Sequence, residues 1–98
     1  MSIKIADLDV STQTGRWHNF PPGSATVVVK GTFGGGTVTI EASDDDGATT
    51  LDLGDDADFT AAAARTLELG KGFKVRAVIT GGDDSEEIEV WVNPLKVR

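Results

Sequence analysis

The residues of this 98-residue chain that could take part in chemistry are its single histidine and several short acidic runs. Because the chain has no cysteine, a nucleophilic triad would have to combine His18 with a serine or threonine and a carboxylate. No nucleophile-elbow motif accompanies His18, and one histidine cannot build a multi-histidine metal site. We therefore interpret His18 as a surface or interface imidazole and predict that the protein is not an enzyme and has no catalytic residues.

The acidic runs contain the residue type that calcium binds but lack the spacing of a calcium loop. They lie at 44–46, 55–58 and 83–84. A calcium loop alternates its aspartates with other residues and ends in a distal glutamate, and none of the runs does so. Turns also require Asp and Gly. We predict solvated turns at these positions, with no metal site and no cofactor.

A glycine-rich segment, GTFGGG at 31–36, loosely suggests a phosphate-binding loop. Such a loop stands before a helix and usually carries Lys followed by Ser or Thr, whereas a strand pattern follows here. The glycines therefore predict a bend or bulge where two strands meet.

Composition limits the chain to one small domain. Hydrophobic residues make up 39% of it, and sixteen acidic against nine basic residues give a net charge of −7. This charge disfavours nucleic acid as a partner, because the protein would repel a polyanion. No apolar run approaches the roughly 20 residues of a membrane span, so no membrane partner is predicted. The N-terminus also lacks the basic start and apolar stretch of a signal peptide.

Alternation of apolar and polar residues predicts strands along most of the chain. Six short strands at this spacing indicate an all-β fold: a small antiparallel β-sandwich or barrel of six to eight strands. The uncertain segment 54–64 is predicted to be a loop with at most one helical turn, pinned by Phe59. The predicted strands are 25–33, 37–43, 48–53, 65–69, 73–80 and 86–92.

Two hairpins follow from matching the inward residues of successive strands. In the first, Ile40 faces Leu51 around a loop at 44–47. In the second, Ile79 faces Ile88 around a loop at 82–85. The second register also places Trp91 opposite Arg76 on the outward face. Because Trp and Arg are enriched in interface hot spots, we interpret this pair as a contact between subunits.

The first 23 residues differ from the rest and are predicted to be an N-terminal arm or edge strand, with the β-sandwich domain at 24–98. Pro21 and Pro22 cannot donate ladder hydrogen bonds and mark the break. An arm would either cover an edge of its own core or dock on a neighbour. If it docks, deleting residues 2–20 should leave a folded domain. The side chains that would then form the contact are Ile3, Ile5, Leu8, Trp17 and Phe20.

The glycine-rich hairpin and the later strands together resemble a group of small β-sandwich proteins from tailed bacteriophage particles. The matching segments are Gly31–Val38, Asp46-Gly47, and Gly72 with Val75-Arg76-Ala77-Val78 and Gly81. The group often has a tryptophan after the Asp-Gly-x-Thr turn, where this chain has Leu51.

This resemblance implies a non-enzymatic virion protein, with capsid decoration favoured. It also implies a major capsid or tail protein as partner and a homo-oligomer, with a trimer favoured. A tail or collar accessory and a module binding host-surface glycan are the alternatives. The family contributes no catalytic residues.

Overall fold

The computed structural model describes residues 3–10, 12–21, 23–70 and 72–94 of the chain. These residues form ten strands and one 3-10 turn, Asp55–Ala57. Within them, no helix is long and apolar enough to cross a membrane. The strands are β1 Ile3–Leu8, β2 Gln13–Thr14, β3 His18–Asn19, β4 Gly23–Thr32, β5 Thr37–Ser43, β6 Leu51–Asp52, β7 Asp58–Phe59, β8 Ala63–Leu69, β9 Lys74–Thr80 and β10 Glu87–Pro94.

The strands build two antiparallel sheets that pack face to face. One has the order β1-β10-β4-β8; the other has β2-β9-β5-β6, with β3 also pairing β9 and β7 also pairing β5. The predicted all-β sandwich is therefore confirmed. The strand count exceeds the predicted six to eight because β2, β3 and β7 are two-residue pairings too short for a sequence pattern to reveal. β6 is also only two residues long, but it lies within the strand predicted at 48–53.

The core lies between the sheets and follows the predicted alternation. Inward residues of β4, β5, β9 and β10 are fully buried or nearly so, among them Val27, Val29, Val38, Ile40, Val75, Ile79, Ile88 and Val90. Phe59 is also buried, just after the 3-10 turn, as predicted for 54–64. Period-two patterning thus correctly predicted the inward faces of β5, β9 and β10.

The first hairpin has the predicted face but a different register. Leu51 pairs with Ala42 instead of Ile40, and Val38 pairs with Phe59. The shift is two residues, so every side chain keeps its face. Its cause is a longer turn: Ser43 and Asp45 bind backbone N–H groups as far as Thr49, which delays the return strand.

The predicted second hairpin is wrong. β9 pairs with β5, whereas β10 pairs with β4 and β1, so residues 81–86 cross from one sheet to the other. Alternation determines which way a residue faces but not which strand lies beside it, and both arrangements bury the same residues. As a consequence, Trp91 and Arg76 lie on different sheets, so their predicted placement opposite each other is wrong.

The N-terminal segment begins with β1, an edge strand of the four-stranded sheet. β1 pairs with β10, and the register shifts between Lys4 and Ala6, which makes Ile5 the extra residue of a β-bulge. The bulge turns both Ile5 and Leu8 into the core although they are three residues apart, with 4% and 1% of their surface exposed. Phe20 is buried as well.

The glycine-rich segment joins the sheets, as the predicted bend requires. β4 ends at Thr32 in one sheet and β5 begins at Thr37 in the other. Gly34 lies against the loop that carries Glu86. The Glu86 carboxylate is buried and accepts hydrogen bonds from the backbone N–H groups of Asp83 and Asp84, at 3.0 and 2.9 Å. Two of the crossovers between the sheets, 33–36 and 81–86, thus meet around the Glu86 carboxyl group.

Candidate interaction faces

The seven side chains proposed for intersubunit contact fall into two groups. Ile5, Leu8 and Phe20 are buried in the core of the chain itself, and Ile3 lies at the start of the edge strand with 42% of its surface exposed. Trp17, Arg76 and Trp91 are half-buried on the outward sides of the sheets. Only the second group and Ile3 are placed to meet another molecule without the fold opening.

The outward surface of the four-stranded sheet is centred on Trp91, and we call it the Trp91 face. The register aligns Lys4, Trp91 and Val28 in one row across β1, β10 and β4. Lys30 and Glu89 form the next row on one side, and Thr26 and Asn93 the next row on the other. The Trp91 face is therefore defined by Lys4, Thr26, Val28, Lys30, Glu89, Trp91 and Asn93.

Side chains from both flanking strands contact the Trp91 ring. The ammonium groups of Lys4 and Lys30 lie 5.7 and 5.3 Å from the ring centroid, and they come from the strands that flank β10. The indole Nε1 donates to Glu89 Oε1 at 2.9 Å. Each cation–π contact stabilises this arrangement by about 0.5–1 kcal/mol at an exposed site. A ring fixed in advance loses less side-chain entropy on binding.

Beside the ring is a shallow depression of about 270 Å³, lined by Val28, Lys30, Trp91 and Asn93. Asn93 Oδ1 is buried and has no hydrogen-bond partner within the part of the chain that the structure describes. An unsatisfied buried acceptor costs about 1–3 kcal/mol, so a donor supplied by a bound molecule would be favourable here. The depression is at the lower limit of ligand pockets, which are usually about 300–1,000 Å³, and its size suits a protruding side chain.

The outward surface of the six-stranded sheet carries the other tryptophan, and we call it the Trp17 face. It is defined by Trp17, Glu41, Thr50, Lys74, Arg76 and Val78. The Arg76 guanidinium lies 4.5 Å from the centroid of the Trp17 ring. Arg76 Nε donates to Glu41 Oε1 at 2.9 Å, and its Nη2 donates to Thr50 Oγ1 at 3.4 Å.

Arg76 does stack on a tryptophan, but on Trp17 instead of Trp91. Trp17 lies in the connection between β2 and β3, outside any strand whose register could be matched. The residue types of this contact could therefore be predicted from the sequence, but the choice of tryptophan could not. Because Trp17 also packs against Gly47, its position depends on the turn after β5.

That turn is organised by Ser43 and Asp45. Ser43 Oγ donates to Asp45 Oδ1 at 2.7 Å and accepts from the Gly47 N–H at 2.9 Å. Thr49 N–H donates to the same Asp45 oxygen at 2.8 Å. Hydrogen bonds from Thr49 and Ser43 lower the pKa of Asp45 from 3.8 to about 2, and those from Ser85 lower the pKa of Asp83 in the 81–86 crossover. These aspartates therefore have a structural role as turn acceptors.

We expect the stabilising effect of Asp45 to disappear in acid. Because its pKa in the folded chain lies below the unfolded value, ionised Asp45 stabilises the fold above about pH 4, and this contribution is lost as the pH falls to about 2. Asp45→Ala should therefore lower the melting temperature at pH 7 and have little effect near pH 2. Asp44→Ala, which removes an exposed carboxylate from the same turn, is the control. An equal effect of Asp45→Ala at both pH values would contradict the assignment.

His18 lies in β3 opposite Val75 and lines an open depression of about 310 Å³ that Asp7 and Thr14 also line. Among the described residues, no hydrogen bond joins His18 to either side chain. Nowhere in the described ranges do three His, Asp or Glu residues form a group that could hold a metal ion. The absence of catalysis and of a metal stays a prediction.

Comparison with protein-family models, with curated proteins and with solved structures gave no match. A function can therefore be proposed only from the two faces and from the sequence.

Proposed function

We propose that this protein is a non-enzymatic structural component of a tailed bacteriophage particle, and that it decorates the capsid. In this role it binds in symmetric copies to the outer surface of the shell. It would contact neighbouring proteins and raise the barrier to their separation. Its partner would be the major capsid protein, or a tail protein if it is a tail or collar accessory.

The observation that supports this function best is that each outward face of a thin sandwich carries a tryptophan whose ring is contacted by a Lys or Arg side chain. The domain is 20 Å across its shortest dimension, and its two outward faces point in opposite directions. Trp and Arg are the residues most enriched in interface hot spots. A protein with one anchor on each side can contact two molecules at once, as a cement protein must.

The phage assignment itself depends on the sequence resemblance. The Gly31–Val38 segment forms the crossover from β4 to β5, and Val75–Val78 forms most of β9. These segments build the middle of the sandwich, so the resemblance covers the part of the chain that determines the fold. The location in the virion is part of the proposal.

The glycan-binding alternative has less support from these faces. A sugar ring binds tryptophan by stacking on an open ring face. Lys4 and Lys30 approach the Trp91 ring from both sides, and Arg76 lies over Trp17. Side chains of the protein itself thus already lie over these rings.

Particles of the phage that encodes this chain, prepared without it, provide the test. Added wild-type protein should bind them with saturable occupancy and raise the temperature at which they release DNA. Trp17→Ala should weaken binding about 30-fold, because a hot spot contributes about 2 kcal/mol or more. Arg65→Ala, which removes an exposed arginine from β8 of the other sheet, is the matched control. Particles that bind no wild-type protein would exclude the decoration role.

A further inference from the structure

We infer that the Trp91 face binds a second copy of this chain through a two-fold contact. This assignment rests on the proposed function, since it leaves the Trp17 face for the shell. In such a dimer the two four-stranded sheets pack face to face, with their strands nearly aligned. The two-fold axis runs parallel to the strands, between β10 and β4.

The strand register makes the Trp91 face complementary to itself about that axis. Because the axis exchanges β10 and β4, each residue comes to lie over the Cα partner that it has in its own chain. Trp91 then meets Val28 of the second copy, and Lys30 meets Glu89 of the second copy. By the same symmetry, Asn93 meets Thr26 of the second copy.

The groups brought together in this way have matching chemistry. Lys30 and Glu89 lie opposite each other within one chain, yet among the described residues they form no ion pair. Lys30 lies over the Trp91 ring, and Glu89 accepts the indole N–H. The dimer would therefore gain two Lys30–Glu89 pairs between chains without breaking an ion pair within either.

The unpartnered Asn93 oxygen is an independent observation that points to the same contact. Asn93 Oδ1 is buried and has no donor among the described residues. The Thr26 hydroxyl bonds to the Thr66 hydroxyl at 3.3 Å, and either of the two can be the donor. If Thr66 donates to Thr26, the Thr26 proton is free for the Asn93 of the second copy once that amide turns toward the contact.

The other surfaces are less suited to a second copy. On the Trp17 face, Arg76 is already paired with Glu41, and Lys74 with Asp46. The edge strand β1 carries a bulge, which hinders strand addition. At the β8 edge, Arg65 pairs with the inward-facing Val27, but its side chain is exposed, with the guanidinium 5.6 Å from the Phe59 ring. A charge on the inward face of an edge strand also disfavours strand pairing.

The size of the face predicts a weak dimer. Four strands about 4.8 Å apart and about seven residues long cover roughly 400 Å² per copy, about half of a standard interface. A trimer ring would need a head-to-tail contact between two different patches, whereas a self-complementary patch gives a two-fold dimer. On a particle, attachment of both copies would strengthen binding through avidity.

Sedimentation equilibrium from about 10 µM to about 1 mM, a range that covers a weak dimer, tests the inference. Wild type should move from monomer toward dimer. Lys30→Glu and Glu89→Lys should each weaken association about tenfold or more, and the double exchange should restore it. Lys74→Glu makes the same charge change on the Trp17 face and should leave association unchanged.

A wild type that stays monomeric or forms a trimer would overturn the two-fold contact, as would a Lys30→Glu variant that associates like the wild type. Failure of the double exchange to restore association would overturn the Lys30–Glu89 pairing. Particle occupancy separates this result from the proposed function. A monomeric protein that still decorates particles removes only the dimer, whereas a dimer that binds no particle removes the decoration role.

Discussion

Deleting residues 2–20 is expected to unfold the domain. Ile5, Leu8 and Phe20 are each at most 4% exposed and pack into the core between the sheets. Burying each of these side chains contributes about 1.5–3 kcal/mol, so together they contribute about 5–9 kcal/mol. That is comparable to the whole stability of a small domain, about 5–15 kcal/mol. The sequence led us to expect the opposite, a folded remainder, and the division at residue 23 is still a prediction that this truncation tests.

Point variants of β1 test whether the buried side chains, and not only the presence of the strand, stabilise the fold. Leu8→Ala should destabilise the chain by about 2–5 kcal/mol, the usual range for a buried leucine. Ile3→Ala, on the same strand but 42% exposed, is the control and should cost less than about 1 kcal/mol. Urea unfolding followed by far-UV circular dichroism measures both. A truncated chain that still unfolds cooperatively would show that residues 24–98 fold alone and that the arm is dispensable.

The inward faces of the long strands were predictable because alternation reports burial directly. Ile40, Ile79 and Ile88 were predicted to face inward from their spacing alone, and all three are buried, with at most 2% of their surface exposed. β1 was harder, because its bulge puts Ile5 and Leu8 on one side and breaks the alternation. No local residue pattern marks that bulge, since the shift is determined by pairing with β10.

Strand neighbours could not be predicted in the same way. β9 and β10 are consecutive and have compatible faces, so a hairpin was the simplest arrangement. In the structure, the residues between them bind the buried Glu86 carboxylate and turn the chain into the other sheet. These hydrogen bonds are local, from N–H groups two and three residues earlier, but the burial of Glu86 depends on the 33–36 crossover that lies against it. In the sequence, Glu86 is one more acidic residue before a strand.

For the interaction faces too, the residue types could be predicted from the sequence but their arrangement could not. Both tryptophans and Arg76 were predicted to be contact residues, which stays a prediction, but the cations beside Trp91 are Lys4 and Lys30. Their positions depend on the order β1-β10-β4, in which the first strand of the chain lies beside the last one. Such a non-local pairing leaves no trace in residue spacing, so the composition of the Trp91 face could not be derived from the sequence.

Gly31 is the glycine at which a side chain would overlap most closely with backbone atoms. It lies in β4 with φ +123°, a conformation that L-residues rarely adopt, and it pairs with Ile88 of β10. A Cβ at this position would overlap the backbone carbonyl oxygen of Glu87, and its next contacts are also main-chain atoms of β10. Because these are backbone atoms, the overlap can be relieved only by moving β10 away from β4. Gly35, four residues further on, also has positive φ but has nothing within 4 Å of a Cβ.

Gly31→Ala is therefore expected to be one of the most destabilising single substitutions in the chain. Backbone strain alone costs about 1–3 kcal/mol, and separation of the central β4–β10 pair should raise the total to about 4 kcal/mol or more. Gly35→Ala carries only the strain and should cost about 1–2 kcal/mol. The free energy of unfolding of both variants, measured in urea, isolates the steric contribution. If the two variants lose the same free energy of unfolding, β10 moves easily at Glu87. Gly31 would then be required for the backbone conformation of the crossover and not for close packing of the two strands.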